Sequence, residues 1–250
     1  MKGDYGAGGL VAILPPQANT TVEAELGVLL EPDVATVVSR LTCYEQDSRT
    51  RLMGYFHSVG PSLRALDTAK PDFALFACTG STYLVGRNEE DRAFAALPLP
   101  LISAVRAVMQ ALDALNAKRI ALVSPYPEWL TEACIAFWHA QGRKVVDVRT
   151  PEGDRTDTRR IYDLRSAQAL EQIAALAGAD VDCILVTGTG MPSLAAIAKA
   201  RSGPPVLSSN LCLAWAAHRT LGREASLPAW LAADAPWRER LALRFPKALQ

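Results

Sequence analysis

Cys78 is the residue whose type and position best suit catalysis. It ends an apolar segment and is followed by Thr79, Gly80 and Ser81. A turn from a strand into a helix presents free backbone N–H groups at the positive end of the helix dipole. We therefore expect the pKa of Cys78 to lie below the reference value of about 8.5 for a free thiol. Such a thiol can act as a nucleophile or as a proton donor, although a buried structural cysteine is a common alternative.

Polar groups at this turn and at other turns are candidates for binding a carboxylate or an oxyanion. Hydroxyls and backbone amides can form a nest for such a group, and a tyrosine phenol or an asparagine amide can donate to it. N-capping by serine and threonine, or an ordinary helix start, would explain the same residues without a ligand. The predicted binding residues are Pro16, Asn19, Thr79, Gly80, Ser81, Tyr126, Gly188 and Thr189.

Composition and motifs argue against several other functions. The 250 residues include 26 basic and 26 acidic ones, so no basic field favours nucleic acid, and the zero net charge weakly favours a homo-oligomer. No HExxH, CxxC, GxGxxG, Walker A or GxSxG motif occurs, so we predict no metal and no other cofactor. The apolar segments are too short or too interrupted for a signal peptide or a membrane span. We expect a cytoplasmic enzyme with no membrane partner.

Short apolar segments alternate with amphipathic segments along the chain. Residues 103–117 and 165–179 have the spacing of amphipathic helices. Apolar strands that alternate with helices indicate βαβ units and an α/β fold with buried parallel sheet. The predicted strands or strand ends cover residues 10–16, 34–41, 73–80, 98–104, 119–126, 144–150, 183–190 and 205–210.

An internal repeat relates two pairs of these strands. PDFALFACTG (71–80) aligns with VDCILVTGTG (181–190), and the same offset of 110 residues aligns AILPP (12–16) with LVSPY (122–126). We predict two α/β halves, residues 1–115 completed by residues 217–250, and residues 116–216. Ligands of parallel sheets bind at the carboxyl ends of the strands, so Cys78 and Gly188 should occupy equivalent positions on opposite walls of a cleft.

Five short motifs occur in order along the chain. They are PPxxNTTVExEL (15–26), ACTGS (77–81), SPYP (124–127), GMPSL (190–194) and SSNxxLAW (208–215). Together they resemble the Asp/Glu racemase superfamily, in particular its branch of maleate cis-trans isomerases and arylmalonate decarboxylases. The resemblance implies two α/β halves related by a pseudo-twofold axis with the active site between them. It also implies a small carboxylic acid as the substrate and, usually, a cysteine on each wall.

The chain departs from this family pattern at the second cysteine. When MPSL (191–194) is aligned, that cysteine falls on Gly188, so a two-base racemase is not expected. Our first prediction is a decarboxylase of a small malonate-type acid, in which Cys78 protonates an enediolate. The alternatives are a maleate-type cis-trans isomerase with Cys78 as the nucleophile, and a non-catalytic module that binds a small acid.

Overall fold

Two parallel β-sheets form the centre of the protein. The computed structural model describes residues 4–200, 202–224 and 226–250. The strands are β1 (Gly9–Leu14), β2 (Val34–Val38), β3 (Phe73–Phe76), β4 (Leu101–Ser103), β5 (Arg119–Val123), β6 (Lys144–Arg149), β7 (Cys183–Val186) and β8 (Val206–Ser208). The first sheet has the order β2-β1-β3-β4 and the second the order β6-β5-β7-β8, with all neighbouring strands parallel.

Helices connect and cover these strands. Short 3-10 helices lie at Asp67–Ala69, Thr158–Asp163 and Pro246–Leu249. Within the described ranges, no helix is long and apolar enough to cross a membrane. The α-helices are α1 (Thr21–Leu29), α2 (Ser48–His57), α3 (Val59–Arg64), α4 (Thr79–Val85), α5 (Arg87–Ala95), α6 (Ala104–Ala114), α7 (Glu128–Ala140), α8 (Ser166–Ala175), α9 (Leu194–Lys199), α10 (Ser209–Thr220), α11 (Leu227–Leu231) and α12 (Pro236–Arg244).

The predicted α/β fold with parallel sheet is confirmed. Each predicted strand is present, and each ends a few residues before the predicted segment does. The reason is that the polar and turn residues at the carboxyl ends, such as Thr79 and Gly80, already belong to the following turn or helix. Strands β3 and β7 are buried along their whole length, as expected for parallel strands covered on both faces.

The internal repeat extends over more of the fold than the two aligned segments. Strands β1 and β5, β2 and β6, and β3 and β7 each begin 110 residues apart, whereas β4 and β8 begin 105 residues apart. The aspartates before β3 and β7 also have equivalent roles. Asp72 accepts a hydrogen bond from the N–H of Leu10, and Asp182 accepts one from the N–H of Arg119. The boundaries of the two halves in the chain stay a prediction.

A buried carboxylate, Glu25 on α1, links the first sheet's helices to the second sheet's helices. It accepts hydrogen bonds from the backbone N–H groups of Ser193 and Leu194 at the start of α9, at 2.5 and 2.9 Å. The side chain of Asn210 donates to it at 2.8 Å. The Glu25 carboxylate thus accepts from N–H groups at a helix start, which have no partner within the helix.

The C-terminal helix α12 packs against both α1 and α9. The guanidinium of Arg240 donates to the carbonyl oxygens of Val28 and Leu29, and that of Arg244 donates to the carbonyl of Gly27. Cations at the end of a helix are favourable because the free carbonyl groups carry partial negative charge. The last helix therefore fixes the carboxyl end of α1, whose other end begins beside Asn19.

Replacement of Glu25 by glutamine tests this link. Burial raises the pKa of Glu25, and hydrogen bonds from Asn210, Ser193 and Leu194 partly oppose the rise. The folded state therefore binds the carboxyl proton more tightly than the unfolded chain does. The contribution of Glu25 to the free energy of unfolding is fully present below its unfolded pKa of about 4.3 and is lost as the pH rises through its folded pKa. We expect Glu25→Gln to be less stable by about 2 kcal/mol at pH 5, because a buried donor loses its acceptor.

The difference between the wild type and Glu25→Gln should narrow as the pH rises, because the glutamine does not titrate. Urea unfolding followed by circular dichroism between pH 4 and 8 measures the free energy of unfolding of each protein and shows how their difference changes with pH. Glu132→Gln, at an exposed position on α7, is the matched control and should leave stability unchanged. A difference that does not vary with pH would contradict the role of the Glu25 carboxyl.

Candidate active site

A small cavity lies at the carboxyl ends of β3 and β7, between the two sheets. About 40 Å³ of space remains between its walls, which is enough for a few water molecules. It is lined by Pro16, Asn19, Arg51, Leu52, Tyr55, Cys78, Thr79, Gly80, Tyr126, Leu130, Thr158, Arg159, Ile161, Tyr162, Gly188, Thr189 and Gly190. The sequence-predicted residues all line it except Ser81, which is fully buried behind Cys78.

Cys78 is the N-cap residue of α4 and points its sulfur toward Ser81 as well as the cavity. The Cys78 Sγ lies 3.1 Å from the Ser81 Oγ, and the Ser81 hydroxyl donates its hydrogen to the Leu52 carbonyl at 2.6 Å. A serine hydroxyl has one hydrogen, so Cys78 must be the donor in its contact with Ser81. The thiol hydrogen is therefore directed into the protein, and the sulfur lone pairs are left for the cavity.

The expected lowering of the Cys78 pKa is wrong. Burial raises the pKa of this thiol, and the N–H groups of Ser81 and Gly80 offset only part of that rise. The side chain is 4% exposed, so a thiolate would lose most of its hydration. The position at the start of a helix was read correctly from the sequence, but the depth of burial was not. Cys78 is thus a neutral thiol in the resting protein.

Two hydrogen-bonded pairs cross the cleft beside Cys78. The Thr79 Oγ1 lies 2.6 Å from the Tyr126 Oη, and the Asn19 Nδ2 donates to the Thr189 Oγ1 at 3.1 Å. Thr79 and Thr189 are related by the 110-residue repeat, and each pairs with a residue from the loop after the first strand of the other half. The structure therefore places equivalent threonines in equivalent cross-cleft contacts.

Cys78 lies between these two pairs. Its neighbour Thr79 belongs to the first pair, and the carbonyl of its other neighbour, Ala77, accepts a hydrogen bond from the Thr189 hydroxyl at 2.8 Å. Thr189 thus uses its hydrogen on Ala77 and accepts one from Asn19. The free donors that remain toward the cavity are the second amide hydrogen of Asn19 and the hydrogen left over in the Thr79–Tyr126 pair.

Asn19 combines the two roles considered for it. Its Oδ1 accepts hydrogen bonds from the N–H groups of Thr21 and Val22, at 3.0 and 3.2 Å, so it caps the start of α1. Its Nδ2 faces Thr189 across the cleft. The capping contact fixes the amide orientation, because the oxygen must face the helix and the nitrogen must face the cavity.

Gly188 cannot be replaced by cysteine without rearrangement. Its φ is +88°, a left-handed value that side chains disfavour. A Cβ at this position would lie 2.8 Å from Ile161 Cδ1, 2.9 Å from Pro125 Cγ and 3.3 Å from Tyr126 Cε1. The wall opposite Cys78 is therefore closed by neighbouring side chains as well as lacking a thiol.

The sequence reasoning missed the roof of the cavity. The 3-10 helix Thr158–Asp163 contributes Ile161 and Tyr162 to the lining. It is joined to α2 of the other half by Arg51, whose guanidinium contacts the Asp157 carboxylate at 2.6 Å and the Thr158 hydroxyl at 3.0 Å. Buried Arg51 gave no sequence signal, because its partners in the roof, Asp157 and Thr158, lie more than 100 residues away in the chain.

The charges in the roof have a positive excess. The carboxylate of Asp157 contacts two guanidinium groups, those of Arg51 and Arg159, at 2.6 and 2.8 Å. Both arginines line the cavity. Since one negative charge faces two positive charges, this end of the cavity favours an anion.

Comparison with known proteins gives consistent matches over most of the chain. The family model described as Asp/Glu/Hydantoin racemase matches residues 33–217. A maleate isomerase of Pseudomonas putida is 27% identical in an alignment 230 residues long, and the match covers 85% of this chain and 92% of the relative.

Solved structures with the same fold include a second maleate isomerase and a decarboxylase. Maleate isomerase Iso from Pseudomonas putida S16 is 26% identical with a TM-score of 0.74, and the match covers 86% of this chain and 93% of that one. Arylmalonate decarboxylase is 25% identical with a TM-score of 0.71, and its match covers the same shares, 86% and 93%.

Substitution of Gly188 by alanine tests the closed wall. We expect Gly188→Ala to lower the free energy of unfolding by about 2 kcal/mol, because a positive φ and close contacts with Ile161 and Pro125 both disfavour a Cβ. Urea unfolding measures this loss. Gly178→Ala is the control, since a Cβ there meets no atom within 4 Å, and it should be at least as stable as the wild type. Equal free energies of unfolding for the two variants would show that the side chains around Gly188 shift without cost.

Proposed function

Since this chain belongs to the Asp/Glu/hydantoin racemase family, we propose that it is a cofactor-independent cis-trans isomerase of a small unsaturated dicarboxylate such as maleate, with Cys78 as the nucleophile. Similarity to maleate isomerases supports this activity over the decarboxylase that the missing second cysteine first favoured. The predicted catalytic and binding residues enter the proposal in the roles given below.

One observation carries the proposal: a single thiol lies between two polar pairs that cross the cleft. Tyr126 with Thr79 forms one pair, and Asn19 with Thr189 forms the other. A cis-butenedioate has a carboxylate at each end of its double bond, so one carboxylate can accept hydrogen bonds from each pair. The alkene carbons then face the Cys78 sulfur. The positive excess of Arg51 and Arg159 over Asp157 favours the doubly charged form of such an acid.

In the proposed reaction the Cys78 thiol first loses its proton to solvent, and the thiolate then adds reversibly to the double bond. The proton returns to the sulfur after the product leaves. A bond forms between sulfur and one alkene carbon while the π electron pair moves to the other carbon and its carboxylate, giving an enediolate. Donors from the adjacent polar pair stabilise the enediolate, at up to about 3 kcal/mol per donor. The former double bond rotates as a single bond. The electron pair then returns, the sulfur–carbon bond breaks, and the trans acid leaves, so no proton or electron is consumed overall.

The decarboxylase remains a second candidate because of one feature of Cys78. Its raised pKa keeps the thiol protonated, which suits a donor that protonates an enediolate after loss of carbon dioxide. One feature weighs against it, because the thiol hydrogen is directed to Ser81 rather than to the cavity. If the protein turns over no acid, the remaining alternative is a non-catalytic module that binds a small acid.

The pH dependence of the rate separates the two reactions. An isomerase needs the thiolate, and the pKa of Cys78 is raised, so kcat/KM for maleate should rise about tenfold per pH unit through the neutral and mildly alkaline range. A decarboxylase needs the protonated thiol, so its rate should stay level and then fall as the pH passes the raised pKa. Proton NMR of maleate and of 2-methyl-2-phenylmalonate in D₂O follows both reactions. Fumarate without carbon dioxide release supports the isomerase; a deuterated monoacid supports the decarboxylase.

Removal of the thiol tests the role of Cys78 itself. Cys78→Ser should reduce turnover by at least about a thousandfold, because a hydroxyl of this kind is a far weaker nucleophile. Cys43→Ser, at the partly exposed cysteine outside the cavity lining, should retain wild-type rates. Both variants should unfold at the same urea concentration as the wild type. Undiminished turnover by Cys78→Ser would refute the assignment.

A further inference from the structure

A line of buried hydroxyl groups leads from the cavity into the protein interior and includes residues of both halves. The Thr79 Oγ1 lies 2.6 Å from the Tyr126 Oη, and the Tyr126 Oη lies 3.3 Å from the Thr187 Oγ1. The Thr187 Oγ1 in turn lies 2.9 Å from the Tyr83 Oη. Thr79 and Tyr126 line the cavity, whereas Thr187 and Tyr83 do not reach it. We call these four side chains the hydroxyl line.

The hydrogens of the hydroxyl line can be ordered in two directions. Each hydroxyl has one hydrogen, so the three contacts between neighbours use three of the four hydrogens, and the remaining one lies at an end of the line when all contacts run in the same direction. In the outward order, Tyr83 donates to Thr187, Thr187 to Tyr126 and Tyr126 to Thr79, and Thr79 presents its hydrogen to the cavity. In the inward order, the remaining hydrogen lies on Tyr83.

The surroundings of Tyr83 disfavour the inward order. Its ring packs against Phe137, Trp138 and the ring of Tyr126, with centroids 5.4 to 6.2 Å away. The nearest polar group besides Thr187 is the buried thiol of Cys134, whose sulfur is a weak acceptor. A hydrogen left on Tyr83 would therefore lack a good acceptor, whereas a carboxylate in the cavity would accept one strongly from Thr79.

Both tyrosines are firmly protonated, as the outward order requires. Burial raises the pKa of Tyr83 and that of Tyr126 far above the range in which they would lose their hydrogens. Hydrogen bonds in a chain also strengthen one another in a low-dielectric interior. The hydrogen that Thr79 presents should therefore be a stronger donor than that of an isolated threonine.

We propose that Thr187 and Tyr83 are positioning residues, which orient the hydroxyl line outward so that Tyr126 donates to Thr79 and Thr79 donates to the substrate. This inference rests on the proposed function, because it assumes that the cavity binds a carboxylate beside Thr79. The oriented donor matters most when negative charge builds up on the substrate oxygens as the enediolate forms. Loss of either positioning residue should therefore lower kcat more than it raises KM.

Thr187→Val tests the inference directly, because valine keeps the shape of threonine and removes the hydroxyl between Tyr126 and Tyr83. We expect kcat for maleate to fall about tenfold and KM to rise by a smaller factor, because the weakened donor acts on the bound carboxylate and more strongly on the charge that builds up during the reaction. Tyr83→Phe removes the inner end of the line, so it should have a smaller effect in the same direction. Stopped-assay kinetics with NMR detection measure both constants.

Thr131→Val is the matched control. Thr131 is a buried threonine of the same half, and its hydroxyl lies 2.7 Å from that of Ser124. The control removes a buried hydroxyl–hydroxyl contact outside the hydroxyl line, so kcat should be unchanged. An equal fall in kcat for Thr131→Val and Thr187→Val would mean that the effect is structural. A wild-type kcat in both Thr187→Val and Tyr83→Phe would also overturn the proposal.

Binding of succinate, a saturated diacid, separates this inference from the proposed function. If the wild type binds succinate in calorimetry but does not convert maleate, the isomerase proposal fails and the hydroxyl line is still testable. Weaker succinate binding by Thr187→Val than by Thr131→Val would then support the oriented donor. Equal binding by these two variants would refute it.

Discussion

Hydrogen bonds across the cleft are the interactions on which the candidate site depends. The threonine after each central strand, Thr79 or Thr189, binds a side chain from the opposite half. These contacts bring the carboxyl ends of two separate sheets together, and the cavity beside Cys78 lies where the halves meet. They also place Cys78 between two groups of donors. Glu25 supports the same junction from behind, since it joins α1 to the start of α9.

The internal repeat makes the site nearly symmetric, but a cysteine at position 78 and a glycine at position 188 make it asymmetric. The 110-residue repeat relates Thr79 to Thr189 and Cys78 to Gly188. At Gly188, the left-handed backbone disfavours a side chain, and a second thiol would require Ile161, Pro125 or Tyr126 to shift. A pair of opposed thiols is therefore absent from the sequence and also disfavoured by the packing at this position.

Burial controls how the single thiol behaves. The start of a helix favours a thiolate, but removal of water disfavours it more, so the pKa of Cys78 is raised. The roof segment covers this site. Its Asp157 contacts Arg51 on α2 of the other half, and its Ile161 lies over the cavity. This burial keeps the Cys78 thiol neutral.

The sequence by itself determined the strands, the repeat and eight of the seventeen residues that line the cavity. These follow from local patterns: apolar runs give buried strands, and turn residues such as Thr79, Gly80 and Gly188 mark where the strands end. Only the tertiary structure decided which residues form the roof, that Ser81 lies behind Cys78, and that the pKa of Cys78 is raised. Those features depend on contacts between residues distant in the chain, such as Arg51 with Asp157. No local pattern encodes such contacts, because burial and hydrogen-bond partners arise only when the two halves pack together.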